Sequence, residues 1–213
     1  MKPLSRSPIL FLLLLCFACN KEGIKPNTPA NYFPNSIGDT WEYEVTDSAQ
    51  YVPGSNNTIN HYLVKVAIVG TKKLVDRKDA SIWQYTYPFG IDTNYVMIDD
   101  NTIEIFNNNQ NTIQDLKYPN LIFEQPFEVD KGWDGKHAYS DTFTVVNQAN
   151  ITTSLETFKD CFEIYRHYTG PSIELKDNYW FKPEVGMVSI YKNHYNSGPL
   201  IYSTWQLKTY SVH

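Results

Sequence analysis

Thiols, imidazoles and carboxylates carry most covalent and metal chemistry in proteins, and this sequence places few of them at useful spacing. The five histidines lie at 61, 137, 167, 194 and 213, with no two at ligand spacing on one element. No His-Glu-x-x-His helix, Cys-x-x-Cys pair or acidic calcium loop occurs. Asp99-Asp100-Asn101 lacks ligands at alternate positions and reads as a hairpin turn. Arg166-His167 reads as a charge pair on a strand, with no nucleophile near it in sequence. A phosphate cradle needs several glycines ahead of a helix, and none is present. These residues predict neither an enzyme nor a cofactor nor a bound metal.

One residue does carry covalent chemistry in its context. Lys2 and Arg6 give a positive start, Ile9 to Phe17 an apolar run, and Ala18-Cys19 a small residue followed by a thiol. A basic start, roughly 7–15 apolar residues and a small residue before the cut define a secretory leader. The run is too short for a spanning helix, which needs about 20 apolar residues. Cys16-Phe17-Ala18-Cys19 resembles the lipobox of bacterial lipoproteins, with Cys16 where that motif usually has leucine. The resemblance implies cleavage between Ala18 and Cys19 and acyl chains, palmitate among them, on Cys19. The bland alternative is a secreted chain cut near Ala18. Each buried methylene adds about 0.8 kcal/mol to membrane affinity, so a multiply acylated Cys19 would hold the protein on a membrane.

Residues 20 to 31 are polar, carry Pro26 and Pro29 and lack hydrophobic periodicity, which predicts a flexible tether. The chain therefore divides into a leader over 1–18, a lipidated cysteine and tether over 19–31, and one domain over 32–213. Lys21-Glu22 resembles the export signal that sends some Bacteroidota-type lipoproteins to the outer face of the outer membrane. Gly23 stands where that signal normally has a second acidic residue.

The formal charge is −5, and loss of Lys2 and Arg6 with the leader takes it to −7. A mildly acidic domain without clustered Lys and Arg predicts no nucleic-acid partner. Cys161 would be the cysteine left after maturation, so the domain must stand without disulfides. It sits in the alternating run Cys161-Phe162-Glu163-Ile164-Tyr165 and reads as a small buried hydrophobe rather than a reactive thiol.

Helical periodicity is nearly absent. Short β-branched and aromatic runs recur between Asn, Asp, Gly and Pro clusters, at Trp41 to Val45, Tyr62 to Val69, Ile82 to Tyr87, Tyr95 to Ile98 and Ile103 to Phe106. Further runs are Leu121 to Phe127, Thr142 to Val146, Cys161 to Tyr168, Ile173 to Phe181, Met187 to Tyr191 and Ile201 to Tyr210. Asn107 to Asn111 reads as a hairpin tip, and Thr153 to Lys159 as at most one turn of helix. Connections are short and no βαβ rhythm appears. The expected fold is all-β: an antiparallel meander forming a strongly curved sheet or unclosed barrel, with at most one short helix.

Two stretches resemble the opening and close of a family of small Bacteroidota-type exported lipoproteins. They are Tyr32-Phe33-Pro34 through Gly38 to Trp41-Glu42-Tyr43, and Trp180-Phe181-Lys182-Pro183-Glu184-Val185-Gly186-Met187-Val188. Both motifs are structural: Gly38 and Gly186 stand where turns need freedom from a Cβ, and Pro183 must end a strand. Asp47-Ser48-Ala49 resembles the O-glycosylation acceptor of Bacteroidota-type envelope proteins, making Ser48 a candidate acceptor, although the tripeptide also suits a turn. The strand pattern resembles that of LolA-like carriers, which implies an unclosed barrel around acyl chains.

Two functional readings follow. In one, a non-catalytic envelope protein binds an apolar ligand in a concavity lined by alternate inward residues, for example Trp83, Tyr85 and Tyr87 or their opposite-face neighbours. In the other, a cell-surface module presents aromatic rings to glycans or a protein partner. Trp133, flanked by glycines in Lys131-Gly132-Trp133-Asp134-Gly135, either stacks on a sugar or folds over the sheet edge to cap the core. Oligomeric state is not legible in these residues.

Overall fold

The computed structural model describes residues 31–50, 58–75, 78–99, 101–108, 118–136, 139–196 and 198–213. Among these, twelve strands run as one antiparallel sheet and no helix occurs. They are β1 Thr40–Gln50, β2 Thr58–Lys73, β3 Asp79–Tyr87, β4 Gly90–Asp99, β5 Thr102–Asn107 and β6 Leu121–Glu124. The second half supplies β7 Gly132–Asp134, β8 Ser140–Thr152, β9 Thr157–Thr169, β10 Ile173–Lys182, β11 Gly186–Asn196 and β12 Leu200–Ser211. The spatial order is β6-β5-β4-β3-β2-β1-β12-β11-β10-β9-β8-β7. β1 and β12 pair at the centre, and the short strands β6 and β7 are the edges.

The sheet curls into a nearly closed barrel, and the edges meet. The indole of Trp133 on β7 donates to the carbonyl of Ile122 on β6 at 3.0 Å, and Lys136 pairs with Glu104 on β5. A side-chain seam thus takes the place of a backbone ladder between the two edges.

Alternation supplies the core, since successive side chains on a strand face opposite ways. Trp41, Tyr43 and Val45 on β1, and Val64, Val66 and Ile68 on β2, all point inward. One end of the barrel, the base, is plugged by the segment preceding β1. Phe33 stacks on Trp83 at 4.8 Å and Tyr32 packs on Phe127 at 4.6 Å. Trp41 lies flat on Trp83 at 5.1 Å, and its indole donates to the Val185 carbonyl at 2.7 Å. Buried Asp39 ties both ends of the domain together, accepting from the backbone N–H of Ser36 at 2.8 Å and of His213 at 2.9 Å. The other end, the rim, carries the β3–β4 hairpin, the β9–β10 turn and the start of β2.

The turn between β10 and β11 explains the close of the chain's motif. Pro183 lacks the N–H to extend β10, Glu184 adopts φ 64° and Gly186 φ 95°, the region where a Cβ is penalised. Glu184 also clamps the domain's first residue: its carboxylate accepts from the Asn31 N–H, and its own N–H donates to the Asn31 carbonyl at 2.7 Å. Asn31, read as tether, already belongs to the fold at the base.

Several expectations need correction. Thr153 to Lys159 is no helix: Thr153 N–H donates to the Glu156 carbonyl at 3.0 Å, closing a tight β8–β9 hairpin, and Thr157 starts β9. β-branched Ile151, Thr152 and Thr153 favour that pleated geometry. The run Leu121 to Phe127 stops as a strand at Glu124, because Pro126 cannot donate to a ladder. Asp47-Ser48-Ala49 is not a turn but the interior of β1, paired with β2 and β12 on either side. Asn109 to Asn111 of the expected hairpin tip lie outside the described residues.

Candidate functional site

The plug fills the base half of the barrel; towards the rim the side chains part around a cavity of about 270 Å³. The sequence places inward aromatic residues at period two on β3, so Trp83, Tyr85 and Tyr87 form one wall. Tyr43 on β1 and Trp205 on β12 form the adjoining wall, with ring centroids 5.7 Å apart. The polar ends of these rings are mostly tied off. Tyr43 hydroxyl donates to the Met187 carbonyl at 2.9 Å, Trp83 indole to Asn35 Oδ1 at 2.9 Å, and Trp205 indole to Ser203 Oγ at 2.9 Å. With their polar atoms engaged, the rings offer apolar faces to whatever occupies the space.

Burial pushes the phenols of Tyr43 and Tyr85 well above the ordinary tyrosine range. For Tyr85, a hydrogen bond with Asn94 works against burial, while the charges of Tyr87 and Asp92 add to it. Tyr87 is pushed up to about 12, by burial first and then by Asp92 and Asp47. None of these phenols supplies an ionised oxygen near neutral pH, so the wall is neutral and aromatic.

Beside the cavity, the inner face of β8 to β11 carries a polar network. Arg166 holds Asp141 through two bonds, Nε to Oδ1 at 2.8 Å and a second guanidinium nitrogen to Oδ2 at 3.0 Å. Its third nitrogen lies 3.8 Å from Asp177. Asp177 also takes the Tyr179 hydroxyl at 3.0 Å and lies 2.7 Å from His194 Nε2. Burial would lower the Arg166 pKa, but Asp141, Asp177 and Tyr179 together raise it above the usual value. Lys192 on β11 completes this face and lines the cavity. Burial lowers its pKa, against the pull of Asp177 and Asp47 and with the push of Arg166.

The rim on the β2–β4 side is also aromatic. Phe89, 76% exposed, stacks on Tyr87 at 5.2 Å and meets Tyr62 edge-on at 5.6 Å. Tyr62 donates to Asp47.

The residues singled out from sequence fall as follows. Ala18, Cys19 and the rest of the leader lie outside the described residues, as does His137. Ser48 shares the face of Glu42, Glu44 and Thr46, opposite the buried row of β1. Cys161 is fully buried and unpaired by disulfide. Burial, above all, pushes its thiol up to about 11, against the opposing pull of Lys182. Trp133 is only 7% exposed and stacks on Phe143 at 5.6 Å, so it caps the core and offers no face to a sugar. Arg166 and His167 do not pair: strand alternation sends Arg166 inward to Asp141 and turns His167 to Glu174 at 3.0 Å. Among the described residues no group of three His, Cys, Asp or Glu could hold a metal ion.

Trp83, Tyr85 and Tyr87 share one face, as their spacing predicts, and it is this face that lines the cavity. Lys192, Asp177 and Asp141 escaped sequence reasoning. The signal was there: each shares strand parity with buried neighbours, Lys192 with Val188 and Ile190, and Asp177 with Tyr179 and Phe181.

No family model matches the chain, and no curated protein matches it. Three solved structures resemble it in shape. A protein from Bacteroides fragilis, assigned as exported and described as having a YmcC-like fold, has 14% identity and a TM-score of 0.44 over 84% of this chain and 100% of its own. A protein from Parabacteroides distasonis, assigned as a lipoprotein, has 15% identity and a TM-score of 0.44, over 84% and 99%. A DUF1329 family protein from Desulfovibrio piger has 7% identity and a TM-score of 0.25, over 84% and 87%. Likeness at this level transfers no property of those proteins to this chain.

Proposed function

We propose that this chain is a lipid-anchored, non-catalytic envelope protein that holds one small, flat, largely apolar molecule in the rim half of its barrel. The observation that carries this reading is the cavity bounded by Trp83, Tyr85, Tyr87, Tyr43 and Trp205. Ligand pockets of roughly 300–1,000 Å³ are typical, and about 270 Å³ lies just below that range. Such a space suits a single ring-bearing molecule and not the several acyl chains of a lipoprotein cargo. The anchor rests on the leader ending at Cys19, and placement at the outer face of the outer membrane on Lys21-Glu22. Because Asn31 enters at the base, the tether leaves the barrel at the end opposite the cavity mouth.

Two experiments test the two halves. Cys19→Ser should shift the protein from the membrane fraction to the soluble one; retention in membranes would remove the anchor. Native mass spectrometry of the chain from Asn20 onward should show a stoichiometric adduct that denaturation releases. A mass at the sequence value, together with no saturable binding of a neutral aromatic probe, would remove the ligand.

A second reading has one observation in its favour. The exposed Phe89–Tyr87 stack, with rings 21° from parallel, is a surface on which a glycan or a partner's side chain could stack. Phe89→Ala should abolish glycan-array or pull-down signal if this rim, rather than the cavity, is the binding surface.

A further inference from the structure

The inner face holds two carboxylates, Asp141 and Asp177, both buried. Their partners are already in place. Asp141 is taken by Arg166 through two hydrogen bonds, and Asp177 lies between Arg166, the Tyr179 hydroxyl and His194. Lys192 is the next cation on this wall; Asp177 and Asp47 pull on its ammonium, but among the described residues neither closes a salt bridge with it. Its neighbour is the face of Trp205, 5.2 Å away, and that ring belongs to the cavity wall. Asp92 also lines the cavity, on β4, five strands from β11 along the sheet, and it is exposed at the mouth. Water at the mouth screens it, and among the described residues it makes no salt bridge with Lys192.

An ammonium partly withdrawn from water, and attracted by carboxylates that do not reach it, is incompletely compensated. An aromatic face recovers a part of the shortfall. Such a charge, on the aromatic wall of a cavity whose lining carboxylate, Asp92, stands exposed at the mouth, can be met at closer range by a bound anion. We propose that Lys192 receives the anionic group of the ligand, and that the ligand is therefore a small flat monoanion, an aromatic acid in chemical class. Its ring lies against Trp83, Tyr85 and Trp205, and its acid group meets the Lys192 ammonium beside Trp205. This assignment rests on the cavity being a binding site and adds the charge of what it binds.

A pair of fluorescent probes that differ by one acid group reads that charge. 1-Anilinonaphthalene-8-sulfonate is the anion, and N-phenyl-1-naphthylamine is its neutral counterpart. Both are titrated into the chain from residue 19 with Cys19→Ser, which keeps every residue from Asn20 onward and cannot be acylated at Cys19. The anion should bind at one site, at least about tenfold tighter than the neutral amine, because hydrogen bonds to charged groups typically contribute that much. Lys192→Met should remove that preference and leave the neutral probe within about threefold of its original affinity. Lys192→Arg should restore the preference. Near-UV circular dichroism identifies any variant that has lost its packing. In that event, displacement of the neutral probe from the unaltered protein by 1-naphthoate, against 1-naphthalenemethanol, reads the same preference without a substitution.

The outcomes separate cleanly. Equal binding of both probes, or a preference that survives Lys192→Met in a folded protein, overturns the charge assignment and leaves the cavity reading standing. Failure of both probes to bind overturns the cavity reading, and the charge assignment with it.

Discussion

Trp133→Phe is the substitution that asks whether a single indole holds the barrel shut. β6 and β7 are the shortest strands, of four and three residues, and each has a ladder on one side alone. The Trp133 indole crosses the open seam to the Ile122 carbonyl at 3.0 Å, in a buried setting. Phenylalanine keeps the stacking on Phe143, whose plane lies 5° from that of Trp133, but has no N–H. A buried carbonyl left without its donor costs about 1–3 kcal/mol, and the smaller ring adds roughly 1 kcal/mol of lost packing. The expected destabilisation is about 2–4 kcal/mol, or roughly 4–16 °C in Tm for a domain of this size. The other bridge across the seam, Lys136 with Glu104, is half exposed at the lysine. Lys136→Met should therefore cost under about 1 kcal/mol. Equilibrium urea unfolding gives both values, and hydrogen exchange locates the effect. Amides of Leu121–Glu124 and Gly132–Asp134 should lose protection first in Trp133→Phe. A loss below about 0.5 kcal/mol with unchanged exchange in those strands would refute the account of the seam. The consequence reaches the cavity, because Asn120 and Leu121 beside the seam form part of its lining.

Three further outcomes are expected. Arg166→Leu strands the buried carboxylates of Asp141 and Asp177, so its urea midpoint should fall by an amount equivalent to about 3–5 kcal/mol; a midpoint like that of the unaltered protein would mean these carboxylates do not need the guanidinium. Cys161 should resist thiol reagents at pH 8 until the protein is unfolded. A shift of its thiol to about 11 leaves about a hundredfold less thiolate than in an ordinary cysteine, and rapid labelling of the folded protein would contradict its place in the core. The buried phenols of Tyr43, Tyr85 and Tyr179, all raised by burial, make the fold sensitive to alkali. The unfolded chain ionises these tyrosines near pH 10 and the folded one only above that, so their contribution is intact below about pH 10 and lost as pH rises beyond it. Absorbance at 295 nm and circular dichroism should change together above pH 10, and full phenol ionisation in a still-folded protein would contradict it.

Much of the fold was legible from period two alone. Trp41-Glu42-Tyr43-Glu44-Val45 declares a strand with one dry face wherever it pairs, and Gly186 after Pro183-Glu184-Val185 declares a turn that needs positive φ. Thr153 to Lys159 misled because a tight hairpin and a helical turn need similar small polar residues, and only the pairing of Thr152 with Thr157 decides between them. Asp47-Ser48-Ala49 misled for a related reason: turn formers inside a strand are overruled when strands on both sides supply the hydrogen bonds.

The candidate site divides along the same line. Trp83, Tyr85 and Tyr87 were readable as one wall because residues two apart must share a face. Arg166, Asp177 and Lys192 come from three strands, and the distance from Arg166 to Asp141 depends on a pairing 25 residues apart. The sequence by itself determined strand faces and the turn at Gly186, since each rests on local geometry or on neighbouring residues. Tertiary structure alone decided which edges meet at Trp133, where the core leaves a cavity, and which cation lines it. Those properties depend on contacts between strands far apart in the chain, and no local pattern encodes them.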